Sequence, residues 1–159
     1  MRAWLSALLS ASLVLAGCGT EVAGAPEKDT SPTVGAVSLV VPIELRPVAD
    51  DGTKVLTDPT TGESLTLADP IMTVERLDGA DISSDNGTWA LVLHLNAKDT
   101  RTFADWTTAH TGERLAIVID GKVVVAPTVQ AAITGGDVQV SGNYTRDDVE
   151  ALLNEITGR

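Results

Sequence analysis

Cysteine is almost absent. The chain of 159 residues has one, Cys18, so no intrachain disulfide can form and stability must come from packing. Aromatic residues make up only 3%, against 43% apolar residues, which predicts a core built of Val, Leu, Ile and Ala. Positive charge is scarce: 11 Lys and Arg face 22 Asp and Glu, for a net charge of −11. That balance argues against a nucleic-acid partner, because phosphates must be neutralised by Lys and Arg. It argues equally against holding anionic lipid by charge alone. There are two histidines, His94 and His110. After the first 17 residues no apolar run is long enough to span a bilayer; all are strand-length and broken by charges and glycines.

What is present begins with an address. One positive charge, Arg2, precedes an apolar run from Ala3 to Ala16 and a pair of small residues before Cys18. A short apolar core with a charged start and small residues at its end reads as an export signal over 1–17. Its removal would leave the chain one unit more negative. Leu15-Ala16-Gly17-Cys18 resembles the bacterial lipobox. That resemblance implies thioether attachment of a diacylglyceryl group to Cys18, cleavage before it, and acylation of the new amine. Two or more acyl chains hold a protein stably on a membrane, where one chain is marginal. Residues 18–36 therefore comprise the lipidated Cys18 and a flexible tether rich in Pro, Gly, Ser and Thr. Roughly 18 such residues reach roughly 23 Å.

The remainder, 37–159, reads as one domain. Residues 37–45 alternate apolar and other side chains, as a strand does, and Pro42 predicts an edge strand or a start near Ile43. Shorter extended segments follow around Val55-Leu56, 64–67 and 71–76, and 81–88 reads as a polar turn region. Residues 89–95 alternate again. Asn96 is a good cap for a helix running to about His110, with Phe103, Trp106 and His110 on one face. Then comes GERLAIVIDGKVVVAP, residues 112–127. Asp120-Gly121 between two apolar runs predicts a hairpin, the expected core of the sheet, ended by Pro127. Residues 129–133 read as a strand, with Gly135-Gly136 turning the chain so that 138–140 pairs back. Thr145 and Asp148 form a capping-box pair for a last helix carrying Val149, Leu152, Leu153 and Ile156 on one face. The fold class is α+β: a small, mostly antiparallel sheet with two main helices on one side.

The same residues carry a family likeness. Leu77-Asp78-Gly79-Ala80-Asp81, the strand into Leu95-Asn96, Phe103-Ala104 with Thr107, Gly112 and the hairpin of 115–127 come in a distinctive order. Ile133-Thr134-Gly135-Gly136 and Ser141-Gly142-Asn143-Tyr144-Thr145 complete it. This pattern resembles the periplasmic head domain of SecD, the accessory subunit of the bacterial preprotein translocase. The resemblance implies a head that projects outside the membrane and contacts emerging preprotein. In that family the proton-driven work belongs to charged transmembrane helices, and no such segment reads from this sequence. The expectation is a head-like binding domain on a lipid anchor at the outer face of the cell membrane, with the Sec translocase or exported polypeptides as partners. The alternative is an envelope scaffold or ligand-binding lipoprotein with no role in secretion.

No catalytic group, metal or cofactor is expected. His94 and His110 fall on different elements with no third ligand at metal spacing. Residues 81–87 fail as a calcium loop because Asn86 and Val92 stand where Gly and Glu belong. Gly135-Gly136 lacks the spacing and lysine of a phosphate loop, and no G-x-S-x-G elbow occurs. The expected contact surface is an edge strand with the loop Thr134, Gly135, Gly136 and Asp137, where extended polypeptide could add to the sheet; the competing reading makes these glycines turn geometry alone.

Overall fold

The computed structural model describes residues 34–159. The export signal, Cys18 and the tether up to residue 33 lie outside the described residues. The strands are β1 (Val37–Pro47), β2 (Lys54–Thr57), β3 (Ser64–Leu67), β4 (Met72–Asp85), β5 (Thr88–Leu95), β6 (Leu115–Ile119), β7 (Lys122–Val125) and β8 (Asp137–Ser141). The helices are α1 (Ala97–Ala109) and α2 (Arg146–Thr157). Six strands form one antiparallel sheet in the order β7-β6-β1-β4-β5-β8, and β2-β3 make a separate hairpin. The expected α+β class, with both helices on one side, holds.

Alternation decides which face each strand buries. Ile43 and Leu45 of β1 face the helices and pair on one side with Val74 and Met72, on the other with Ile119 and Ile117. They join Phe103 of α1 and Val149, Leu153 and Ile156 of α2 in the main core. β6 is buried on both faces. Leu115, Ile117 and Ile119 serve the main core, while Ala116 and Val118 meet Leu65 and Leu67 of the β2-β3 hairpin in a second, smaller one.

Four expectations are corrected. β1 is a central strand, not an edge. Pro42 is tolerated because the β1-β4 register shifts between Ser38 and Ile43 and pairing to β6 begins only at Ile43, so its missing N–H breaks no ladder bond. β4 continues through the segment read as polar turn: Ile82 is buried while Asp81, Ser83 and Asp85 face the side that no helix covers. The turn itself is Asn86-Gly87 alone, both at positive φ. The Asp120-Gly121 hairpin forms as expected, but it lies at one end of the sheet with β7 as an edge.

The fourth correction matters most. Residues 129–133 are not a strand, and β8 does not pair back onto them; it pairs with β5 at the opposite edge of the sheet. The connection from β7 to β8 must therefore cross from edge to edge. It satisfies its backbone on the α1-β6 connection: Gly112 N–H donates to the Val129 carbonyl (2.8 Å), Val129 N–H to Glu113 (2.8 Å) and Leu115 N–H to Pro127 (3.0 Å). The Ile133 N–H donates to Thr107 Oγ1 at 3.0 Å, which explains a fully buried threonine in α1.

Caps fall as read. The Asn96 side chain accepts from Lys98 and Asp99 N–H, and Thr145 with Asp148 forms a reciprocal capping box. In α1, Phe103 is buried with Thr107, whereas Trp106 is only half-buried and stacks on His110 at 4.5 Å. Val34, within the expected tether, is already docked, exchanging two 2.8 Å backbone bonds with Ala80.

A two-stranded hairpin is marginal by itself, so β2-β3 depends on its apolar seat against β6. Leu67→Ala should cost about 2–5 kcal/mol, because it empties a fully buried position, whereas Val55→Ala, at 63% exposure on the same hairpin, should change stability by less than about 0.5 kcal/mol. Urea unfolding of both variants checks this.

Candidate functional site

β8 is an edge strand, and one hydrogen bond fixes the phase of its backbone. Leu95 N–H donates to the Gly136 carbonyl at 2.9 Å. Leu95 faces Gly136 in the β5-β8 register, so Leu93 with Val138 and Leu91 with Val140 are the pairs that exchange bonds across the ladder. The intervening residues Asp137, Gln139 and Ser141 then turn their N–H and C=O groups to the other side. Among the described residues β8 has no second strand neighbour. These groups form an open main-chain edge of the kind that an added strand can pair with.

Beside this edge the sheet curls, bringing β7 and β8 into proximity. Tyr144, just past β8, donates its hydroxyl to the Val124 carbonyl of β7 at 2.7 Å, and burial pushes its pKa up. Between the connection that leaves β7, over 127–133, and the start of β8 lies a cleft of about 410 Å³. Leu45, Phe103, Leu115 and Ile117 form its floor, and Ile133 and Val138 stand on opposite walls. Such a volume is within the range of ligand pockets, and the lining is mostly apolar. A strand laid along β8 would direct alternate side chains into it.

Of the loop residues read as a contact surface, Asp137 opens β8 and lines the cleft, while Thr134, Gly135 and Gly136 lead up to it without lining it. Gly136 has a conformational reason to be glycine. Its φ is +77°, and a Cβ there would fall 2.4 Å from Thr100 Oγ1 of α1. Gly135 has no such constraint; a Cβ there would meet nothing within 4 Å. So turn geometry accounts for one of the two glycines.

Sequence reasoning missed His94. It stands on the helix-free face of β5 between two carboxylates, with Nε2 2.7 Å from Asp81 Oδ2 of β4 and Nδ1 2.7 Å from Asp137 Oδ1 of β8. Hydrogen bonding to Asp81, then to Asp137, raises its pKa above the usual 6.5 despite partial burial. The missing signal was the nonlocal β5-β8 pairing, which puts Asp137 directly opposite His94. His110 caps α1, its Nδ1–H donating to the Trp106 carbonyl at 2.8 Å. The segment compared with a calcium loop is strand and turn. Among the described residues no three His, Cys, Asp or Glu stand together as a metal site, and no helix is long and apolar enough to cross a membrane.

Residues 53–157 match the family described as SecDF, P1 head subdomain. The chain is 39% identical over 84 residues to the protein translocase subunit SecD of Rhodobacter capsulatus, covering 52% of this chain and 15% of that protein. It is 35% identical over 83 residues to SecD of Acidaminococcus fermentans, covering 52% and 20%. The chain thus spans only 15% and 20% of the length of these curated relatives. A solved structure of SecDF, described as a membrane component that enhances protein export, superposes with a TM-score of 0.57 at 25% identity over 72% of this chain and 62% of that one. SecDF in its super-membrane-facing form gives 0.55 at 25% identity, over 64% of this chain and 16% of that one.

The two glycines separate on substitution. Gly136→Ala should destabilise by about 2–4 kcal/mol, combining left-handed strain with the clash on Thr100, and Gly135→Ala by less than about 0.5 kcal/mol. Thermal unfolding of both variants reads the difference.

Proposed function

The chain belongs to the SecDF P1 head subdomain family, and on that premise we propose that it is a non-enzymatic, membrane-anchored extracytoplasmic domain that binds exported polypeptide as it reaches the outer face of the membrane. The observation that carries this reading is the open main-chain edge of β8 beside an apolar cleft. Main-chain pairing tolerates many sequences, which suits a domain that meets many exported chains. The cleft adds a preference for segments with apolar side chains at alternate positions. The name of the relatives, protein translocase subunit, supports a place near the Sec translocase. The lipobox-like Leu15-Ala16-Gly17-Cys18 supports an acyl anchor at Cys18.

The edge is tested by removing one outward donor. Gln139→Pro deletes an N–H that faces away from β5, so the ladder survives while strand addition is blocked. A fluorescent peptide of about eight alternating Val and Thr residues serves as probe. The expected result is a loss of affinity of about tenfold or more with little change in unfolding temperature; equal binding by wild type and variant rejects the β8 edge. In cells, a photo-crosslinking residue at Gln139 should capture a spread of exported proteins or translocase subunits above a control at Val55, which is 63% exposed on the far hairpin. Capture of one unrelated envelope protein would favour the scaffold reading instead.

The anchor has its own test. Cys18→Ser should abolish palmitate labelling and move the protein from the membrane to the soluble fraction; retention on the membrane without label would exclude the acyl anchor.

A further inference from the structure

We propose that His94 is a proton-operated latch on this edge: charged, it fastens the head of β8 to the sheet, and on losing its proton it releases Asp137. This rests on the reading of β8 as the binding edge and adds a regulation to it. The argument is one of donors and acceptors. An ionised carboxylate only accepts hydrogen bonds, and an imidazole donates from both nitrogens only when it is charged. Here both ring nitrogens lie 2.7 Å from carboxylate oxygens on different strands. The neutral ring has one N–H, so one of these contacts must become a lone pair against a carboxylate oxygen. Both cannot persist.

The surroundings decide which contact fails. Asp81 lies within β4, a strand flanked by β1 and β5, and its side chain is 26% exposed. Asp137 is the first residue of an edge strand, follows two glycines and is 62% exposed. Its release takes the smaller rearrangement. The charged groups acting on the ring among the described residues are these two, from β4 and β8. Its own strand contributes uncharged Ala90 and Val92 to the same face. Gly79 of β4 leaves the space that the ring fills, since a Cβ there would stand 3.2 Å from Cδ2.

The sign follows from the raised pKa of His94. A group that binds its proton more tightly when folded stabilises the folded state fully below its ordinary value of 6.5, and that contribution fades as pH rises through the higher folded value. The latch is therefore closed in mild acid and open in alkali. Asp137 carries the first outward N–H and C=O of the edge and lines the cleft. Fixing it in advance lowers the ordering cost of binding, so peptide should bind more tightly with the latch closed.

The test uses the full chain in detergent micelles. Ring NMR of His94 is recorded between about pH 5.5 and 8.5, alongside amide exchange at Val138 and Val140, corrected for its intrinsic pH dependence. The latch predicts a His94 midpoint above 6.5 and β8 opening that increases about tenfold through that same midpoint. His94→Gln and Asp137→Asn should each flatten the profile. A midpoint at or below 6.5, or the same opening profile without His94 or Asp137, overturns it. Should His94→Gln not fold, the wild-type titration and Asp137→Asn decide alone. Affinity for the Val/Thr peptide should fall about 3–10-fold across the midpoint. Because exchange is read without peptide, a latch that works in a protein that never binds the peptide rejects the binding edge and keeps the latch, and binding with no pH response does the reverse.

Discussion

The structure depends on one connection, the crossing of residues 126–136 from the β7 edge of the sheet to the β8 edge. A crossing segment cannot join the ladder, so its backbone groups need partners elsewhere. It finds them in the α1-β6 connection, through Gly112, Glu113 and Leu115, and in the hydroxyl of Thr107. Holding the segment there keeps it from pairing along β8. The cleft and the open edge are consequences of that one arrangement. A chain that folded 129–133 into a strand beside β8 would have filled both.

The rest of the molecule supplies rigidity to that feature. With no disulfide available and few aromatics, the sheet is stabilised by aliphatic layers on both faces of β6. The second layer is thin, and polar contacts reinforce its rim. Arg114 donates to Glu63 at 2.9 Å and to the Ala126 carbonyl at 3.3 Å, and lies 3.4 Å from buried Asp58, tying the β2-β3 hairpin to the start of the crossing. Asp58 in turn accepts from Thr60 N–H at 2.8 Å, so its carboxylate is not left bare in the interior. A charge buried with a partner and a backbone donor orders a loop more than it adds stability.

What could be read from the sequence was local. The Asp120-Gly121 turn, the Asn96 cap and the Thr145-Asp148 box depend on residues within four positions of one another, and each formed as read. Alternation gave β1 and β5 their buried faces. The errors share a cause. β4 was cut short because Asp81, Ser83 and Asp85 look like a turn until one knows that no helix covers their face. Pro42 looked like an edge marker because a register shift is invisible in one strand alone. The partner of β8 was misplaced because β5 is more than forty residues away, and a nearer segment had a plausible pattern. At the candidate site the turn at Gly136 was legible, and of the loop residues read as a contact surface Asp137 alone lines the cleft. The cleft and the pairing of His94 with Asp137 were not, since both are products of that same distant pairing.

That difference bears on function. On the proposed reading, the edge of β8 is what an unfolded polypeptide would meet. Main-chain bonds there take any sequence without proline at the pairing positions. Selection falls to the cleft and to charge. A chain of net charge −11, with Asp137 at the cleft, repels acidic segments and favours basic or neutral ones. His94 alters that field as well as the geometry. Protonated, it offsets one negative charge beside the edge while holding Asp137 in place; neutral, it returns the full charge of Asp137 to the mouth of the cleft. Both effects act in the same direction on an acidic segment, weakening its hold as the proton leaves, and on a neutral segment only the geometric one remains. On a basic segment they oppose one another. The response to pH thus depends on the charge of the bound segment, a property that neither the edge nor the cleft would have without the histidine between them.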